Sequence, residues 1–125
     1  MVPLSHANLL ASARHIAATL ELTSDDRCLN VMPLFHIHGL VAAVLSTIYT
    51  GGEVLCMPGF NVGKFFSWID DGKPTWYTAV PTMHQMILDR VERNLDSVAQ
   101  NQLRLIRSSS ASLPVPVMNA LEKVF

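Results

Sequence analysis

Three short apolar runs, each ended by a proline, constrain this chain more than any other feature. Residues 27–32 (RCLNVM) stop at Pro33, 53–57 (EVLCM) at Pro58, and 75–80 (TWYTAV) at Pro81. Runs of this length and composition read as buried strands. Proline cannot donate to a sheet ladder, so each strand has to end there. A fourth run, 103–107 (LRLIR), leads into Ser108-Ser109-Ser110-Ala111-Ser112 and reads the same way.

Helical patterns fill the gaps. Ser5 is placed to cap an apolar-periodic stretch reaching Leu20, and 22–26 is a polar break. The run 39–49 is rich in Ala, Leu and Val and meets Gly51-Gly52 as a stop. Asn61 is expected to cap a helix over 62–69 that ends at Asp70-Asp71-Gly72. Pro81 suits the first turn of a helix to about Arg93. Residues 95–102 read as a short helix or loop, and Pro114 starts a last helix to Phe125.

Strand–helix alternation of this kind predicts the α/β class: a mainly parallel sheet joined by right-handed crossovers, with helices packed on it. Ligands of such sheets collect beyond the carboxyl ends of the strands. Three polar stretches follow expected strand ends: Phe35-His36-Ile37-His38-Gly39, Pro81-Thr82, and the serine run. They are expected to meet at one edge.

Half the residues are hydrophobic, only 15% are charged, and the formal net charge is -1. The scattered basic residues, loosely grouped only at Arg90, Arg93, Arg104 and Arg107, argue against a nucleic-acid partner. The high apolar content predicts a large exposed apolar surface and a tendency to self-associate. Cys28 and Cys56 each lie in an apolar run and read as two buried thiols of a reduced compartment. No run approaches the ~18 apolar residues of a membrane span, and the start Met1-Val2-Pro3 lacks a charged leader. A cytoplasmic location is the expectation, with a peroxisomal one open for a full-length relative.

His36 and His38 form an H-x-H pair, but His84, His6 and the cysteines stand at separations that match no known metal-ligand spacing, so no metal site is expected. The bland reading is a turn whose histidines bond nearby carbonyls. The serine run lacks a G-x-S-x-G elbow, so it suits hydroxyl and backbone donors better than a nucleophile, or else plain capping before Pro114. Asp25-Asp26 and Asp70-Asp71 read as solvated caps. Trp76 and Tyr77 alternate, so one can face a pocket while the other packs under a helix.

The segments VPLSHANL (2–9), PLFHIHG (33–39), TGGEV (50–54), TWYTAVPT (75–82) and LRLIRSSSASL (103–113) occur in one order. As a series they resemble the adenylate-forming superfamily of AMP-dependent acyl-CoA synthetases, over essentially the whole chain. HIHG, WYTAVPT and the serine run are most similar to the oxalate–CoA ligase-like branch. The resemblance implies one partial synthetase/ligase domain at 1–125, an incomplete part of a larger N-terminal domain. It implies a reaction in which ATP and a carboxylic acid give an acyl-adenylate that is passed to coenzyme A. It places His36, Gly39, Ser109, Ser110 and Ala111 at the acid pocket, with His36 facing the ligand and His38 structural. Serines where the family carries glycines suit a short dicarboxylate such as oxalate.

The resemblance also implies what the chain lacks. The family's phosphate loop precedes the VPLSHANL segment, and its metal-binding glutamate and lid lysine follow Phe125. ATP, Mg2+ and coenzyme A are therefore implied for a complete enzyme. None is expected to bind this chain tightly, and no complete catalytic set or activity is expected from it alone. Two alternatives stay open: a non-catalytic module binding an acid, coenzyme A or a partner, and a piece that assembles with a complementary chain.

Overall fold

The structure is a computed structural model and describes residues 2–125; Met1 of the opening read for a leader lies outside them. Four parallel strands lie in the order β2-β1-β3-β4: β1 (Arg27–Asn30), β2 (Glu53–Cys56), β3 (Trp76–Ala79) and β4 (Leu105–Ser108). Helices cover both faces, as the alternation predicts. On one face lie α1 (His6–Thr19), a π-helical segment His38–Leu45 and its α-helical continuation α2 (Ser46–Tyr49), over a cluster of Ala17, Leu22, Cys28, Ala43 and Trp76. On the other lie α3 (Phe65–Gly72), α4 (Pro81–Leu88), α5 (Leu95–Gln100) and α6 (Val115–Val124), over a larger core that includes Leu29, Phe65, Ile69, Tyr77 and Ile87.

Several local signals act where they stand. Ser5 caps α1 in a reciprocal box with Asn8. At the end of α2, Gly51 takes φ +82, and the N–H groups of Gly51 and Gly52 bond to Ile48 and Thr47 carbonyls. That is the two-bond glycine stop, and a β-carbon on Gly52 would meet the Asp26 carbonyl at 2.6 Å.

Other readings need correction. The strands end earlier than their prolines. In β1 the Asn30 side chain takes over, accepting from Met32 N–H at 3.2 Å and donating to Met32 carbonyl at 3.1 Å, which satisfies backbone that would otherwise need a neighbouring strand. Asn61 accepts from Gly63 N–H in a turn of its own, so α3 begins only at Phe65. The helix from Pro81 stops at Leu88, and Val91–Arg93 is a separate 3-10 turn. Asp26 is not solvated: it is 4% exposed and accepts from Thr23 N–H, the Thr75 hydroxyl and the Arg104 guanidinium. Asp70 is half-buried and accepts from Ser97 and Asn101. Cys28 is buried, but Cys56, at the end of edge strand β2, is exposed; both thiols are free. Trp76 and Tyr77 are both fully buried, one under each helical layer, so neither faces a pocket.

Candidate functional site

Parallel pairing puts the carboxyl ends of all four strands on one edge and aligns one residue from each. Cys56 pairs with Asn30, Asn30 with Thr78, and Thr78 with Arg107. Each lies two residues beyond an apolar member of the smaller cluster (Val54, Cys28, Trp76, Leu105), so the four share the face under the π-helical segment. The apolar layer thus ends in a polar row just where the strands run out.

His38 opens the π-helical segment above this row and is 3% exposed. Its Nε2 lies 2.6 Å from Thr78 Oγ1 and its Nδ1 lies 3.1 Å from Ser110 Oγ. Arg107 donates to Thr78 Oγ1 and to Ser109 Oγ, both at 3.3 Å. Five side chains from three parts of the sequence therefore form one connected set. The chain can pass this tightly only because of Gly39: a β-carbon there would sit 2.5 Å from the Pro33 carbonyl oxygen and 2.9 Å from that of Met32.

The residues expected at the acid pocket divide. Ser109 and Ser110 join the set, and Ser110 holds φ +73, a backbone that side-chain-bearing residues adopt rarely. Gly39 is buried beneath it. His36 is exposed, and its Nδ1 accepts the His38 N–H at 3.1 Å. Ala111 is exposed in the loop before α6. Around them Leu34, Phe35, Ile37 and Leu40 form an exposed apolar rim, Phe35 being 94% exposed. His38, Thr78 and Arg107 were not singled out for the site by the sequence. For Thr78 and Arg107 the available signal was a polar residue at the last or next-to-last place of each of three apolar strands, the third being Asn30.

The electrostatics are unusual. Burial pushes the His38 imidazole down to about 4, helped by the Arg107 cation and by His36 and His84, so the ring is neutral near pH 7. Burial also lowers Arg107, yet it forms neither of the two ion pairs among the described residues, Arg27–Glu53 and Arg104–Asp26. On the far face, Tyr77 Oη meets His84 Nδ1 at 3.0 Å; burial raises the phenol and lowers that imidazole.

A serine against a histidine invites a nucleophile reading. In a working triad, however, the third member is a carboxylate that stabilises the imidazolium as the serine loses its proton. Here the third member is Thr78 backed by a guanidinium, which disfavours imidazolium. The set is suited to holding an anion with hydroxyl donors and an unpaired cation, not to making a nucleophile.

Comparison with known proteins gives the family. The AMP-binding enzyme family matches residues 1–125. The chain belongs to that family. It is 42% identical over 126 residues to an oxalate–CoA ligase of Arabidopsis thaliana, covering 99% of this chain and 24% of that protein. It is 38% identical over 124 residues to an oxalate–CoA ligase of Saccharomyces cerevisiae, covering 99% and 22%. The ATP-bound crystal structure of MatB from Rhodopseudomonas palustris superposes with a TM-score of 0.84 at 25% identity, covering 97% of this chain and 23% of that one. The chain thus spans about a quarter of the length of the relatives it matches.

Proposed function

We propose that this chain forms the acid-binding wall of an AMP-forming acid–CoA ligase, and that the acid is a short dicarboxylate of oxalate size. The observation that carries this is the buried His38 held between Thr78 and Ser110 beside the unpaired Arg107. A dianion gains from the cation and from outward-facing serine hydroxyls, whereas a long alkyl chain would lie against polar groups it cannot satisfy. Names of the relatives favour the same acid class: two are oxalate–CoA ligases.

ATP and coenzyme A enter this reading as substrates of the whole reaction. Among the described residues no three His, Cys, Asp or Glu side chains converge. Lys73 is engaged by Asn101. Adenylyl transfer needs cations placed where charge develops. The chain's own part is accordingly the binding and orientation of the acid.

The test is an NMR titration of the chain with potassium oxalate and, separately, decanoate. Saturable shifts at His38, Ser109 and Ser110 with oxalate, and none there with decanoate, are expected. Preferential binding of decanoate at these residues would sink the reading. With ATP, magnesium and oxalate the chain is expected to release no pyrophosphate; sustained release would place adenylation inside these 125 residues.

A further inference from the structure

The direction of the hydrogen bonds at this edge follows from counting protons. A guanidinium only donates, so Thr78 Oγ1 accepts from Arg107. Thr78 is fully buried, and its hydroxyl has only Arg107 and His38 as side-chain partners among the described residues. Its one proton therefore has a single destination, His38 Nε2 at 2.6 Å. A neutral imidazole that accepts at Nε2 carries its hydrogen on Nδ1, and Nδ1 faces Ser110 Oγ at 3.1 Å. Ser110 then accepts from His38, and its own proton is left for the exposed side.

The opposite tautomer reverses each step. With hydrogen on Nε2, the Thr78 proton is stranded in a buried position. Ser110 then turns its proton inward to Nδ1 and shows only lone pairs to the outside, which repel an anion. The two tautomers thus present opposite faces of the same serine.

We propose that Arg107 and Thr78 are positioning residues that act through His38: they hold it as the Nδ1–H tautomer and so present the Ser110 hydroxyl outward as a donor to an anionic ligand. The ligand identity rests on the acid-binding reading above; the tautomer does not. Neither Arg107 nor Thr78 has to touch the acid for this role. Arg107 also donates to Ser109 Oγ, which sets the neighbouring hydroxyl the same way, its oxygen occupied from within and its proton free.

The experiment is a long-range 1H–15N correlation spectrum of the 15N-histidine-labelled chain near pH 7, with the His38 signals assigned by their loss in His38→Gln. The wild-type chain is expected to show Nδ1–H at His38. Thr78→Ser keeps the hydroxyl and should keep that pattern, with oxalate affinity within about twofold of wild type. Thr78→Val and Arg107→Met should shift His38 toward Nε2–H, and Thr78→Val should weaken oxalate binding about tenfold, the scale of one hydrogen bond to a charged group. Nε2–H in the wild-type chain overturns the proposal without any variant, even if Thr78→Val fails to fold. An unchanged Nδ1–H pattern in a folded Thr78→Val chain overturns it too. If oxalate fails to bind a wild-type chain that carries Nδ1–H, the acid-binding reading falls and the positioning role stands. If oxalate binds while His38 carries Nε2–H, the reverse holds.

Discussion

The two ends of the sheet use almost the same parts and reach opposite states. At the amino end, Arg104, Thr75 and Thr23 converge on Asp26, whose carboxylate accepts four hydrogen bonds of 2.7–3.0 Å. At the carboxyl end, Thr78 and Ser110 meet His38, and Arg107 donates to Thr78 from behind. Both arginines extend from the same short segment, three residues apart, and both reach a threonine-linked group. One cation meets a buried carboxylate and its charge is balanced. The other meets two neutral hydroxyls and its charge is not. The balanced end ties β1, β3 and β4 together; the unbalanced end is left with something to attract.

The largest expected effect breaks the balanced end. Asp26→Ala leaves the Thr75 hydroxyl and Thr23 N–H without their acceptor and the Arg104 guanidinium without its counter-charge. Because the Arg104 side chain is partly exposed, the loss falls below that of a fully buried pair, about 2–3 kcal/mol by urea unfolding. The oxalate-induced shifts at Ser110 should persist in the chains that remain folded. A loss below about 0.5 kcal/mol, the range of ordinary surface changes, would show that Asp26 is not a clamp.

Acid should separate the ends next. His38 titrates near 4 in the folded chain against 6.5 for a free imidazole. Between those values the unfolded chain binds more protons, so stability falls as pH drops from about 6.5 to 4, by about 2 kcal/mol from this ring. His84, also lowered by burial, acts in the same direction. Burial alone would raise Asp26, but its bonds to Arg104, Thr23 and Thr75 outweigh that and hold it below the ordinary carboxylate range. Its contribution is complete above its unfolded value of 3.8 and is lost only as pH falls through the lower folded one. The carboxyl end therefore weakens first. Unfolding midpoints from pH 7 to 4.5 should flatten in His38→Gln; an unaltered slope would assign the whole effect elsewhere.

This pairing explains what the sequence disclosed and what it concealed. Signals that act within a few residues were legible: the Ser5–Asn8 box, the Gly51-Gly52 stop, and the strand alternation that sets three polar stretches on one edge. Asp26 looked like half of a solvated pair because its partners Thr75 and Arg104 lie 49 and 78 residues away. Spacing alone puts His36 and His38 on one face, and only the resemblance separated them, with His36 toward the ligand and His38 structural. The chain instead turns at Leu34-Phe35 and enters the π-helical segment at His38, which drives one ring into the edge and leaves the other exposed. The stretches that meet at the carboxyl edge were legible as segments, but the row that aligns Thr78 with Arg107 exists only once β3 and β4 are in register.

The smallest expected effect tests how far the unbalanced end extends. Cys56 occupies the same row as Arg107, at the opposite edge of the sheet, and accepts a long contact of 3.6 Å from Asn30 Nδ2. If the row were one continuous polar wire, changing Cys56 would be felt at His38. The geometry argues otherwise. Asn30 spends both ends of its amide on Met32 and has no bond to Thr78, so the row is divided between β1 and β3. Cys56→Ser should therefore change stability by less than about 0.5 kcal/mol and leave the His38 tautomer pattern as in wild type. The same exposed thiol should react with a disulfide reagent in the folded chain while the buried Cys28, whose pKa burial raises, does not. A shift of His38 in Cys56→Ser would join the two halves of the row, and the contrast would then lie between whole edges of the sheet, not between two arginine-centred clusters.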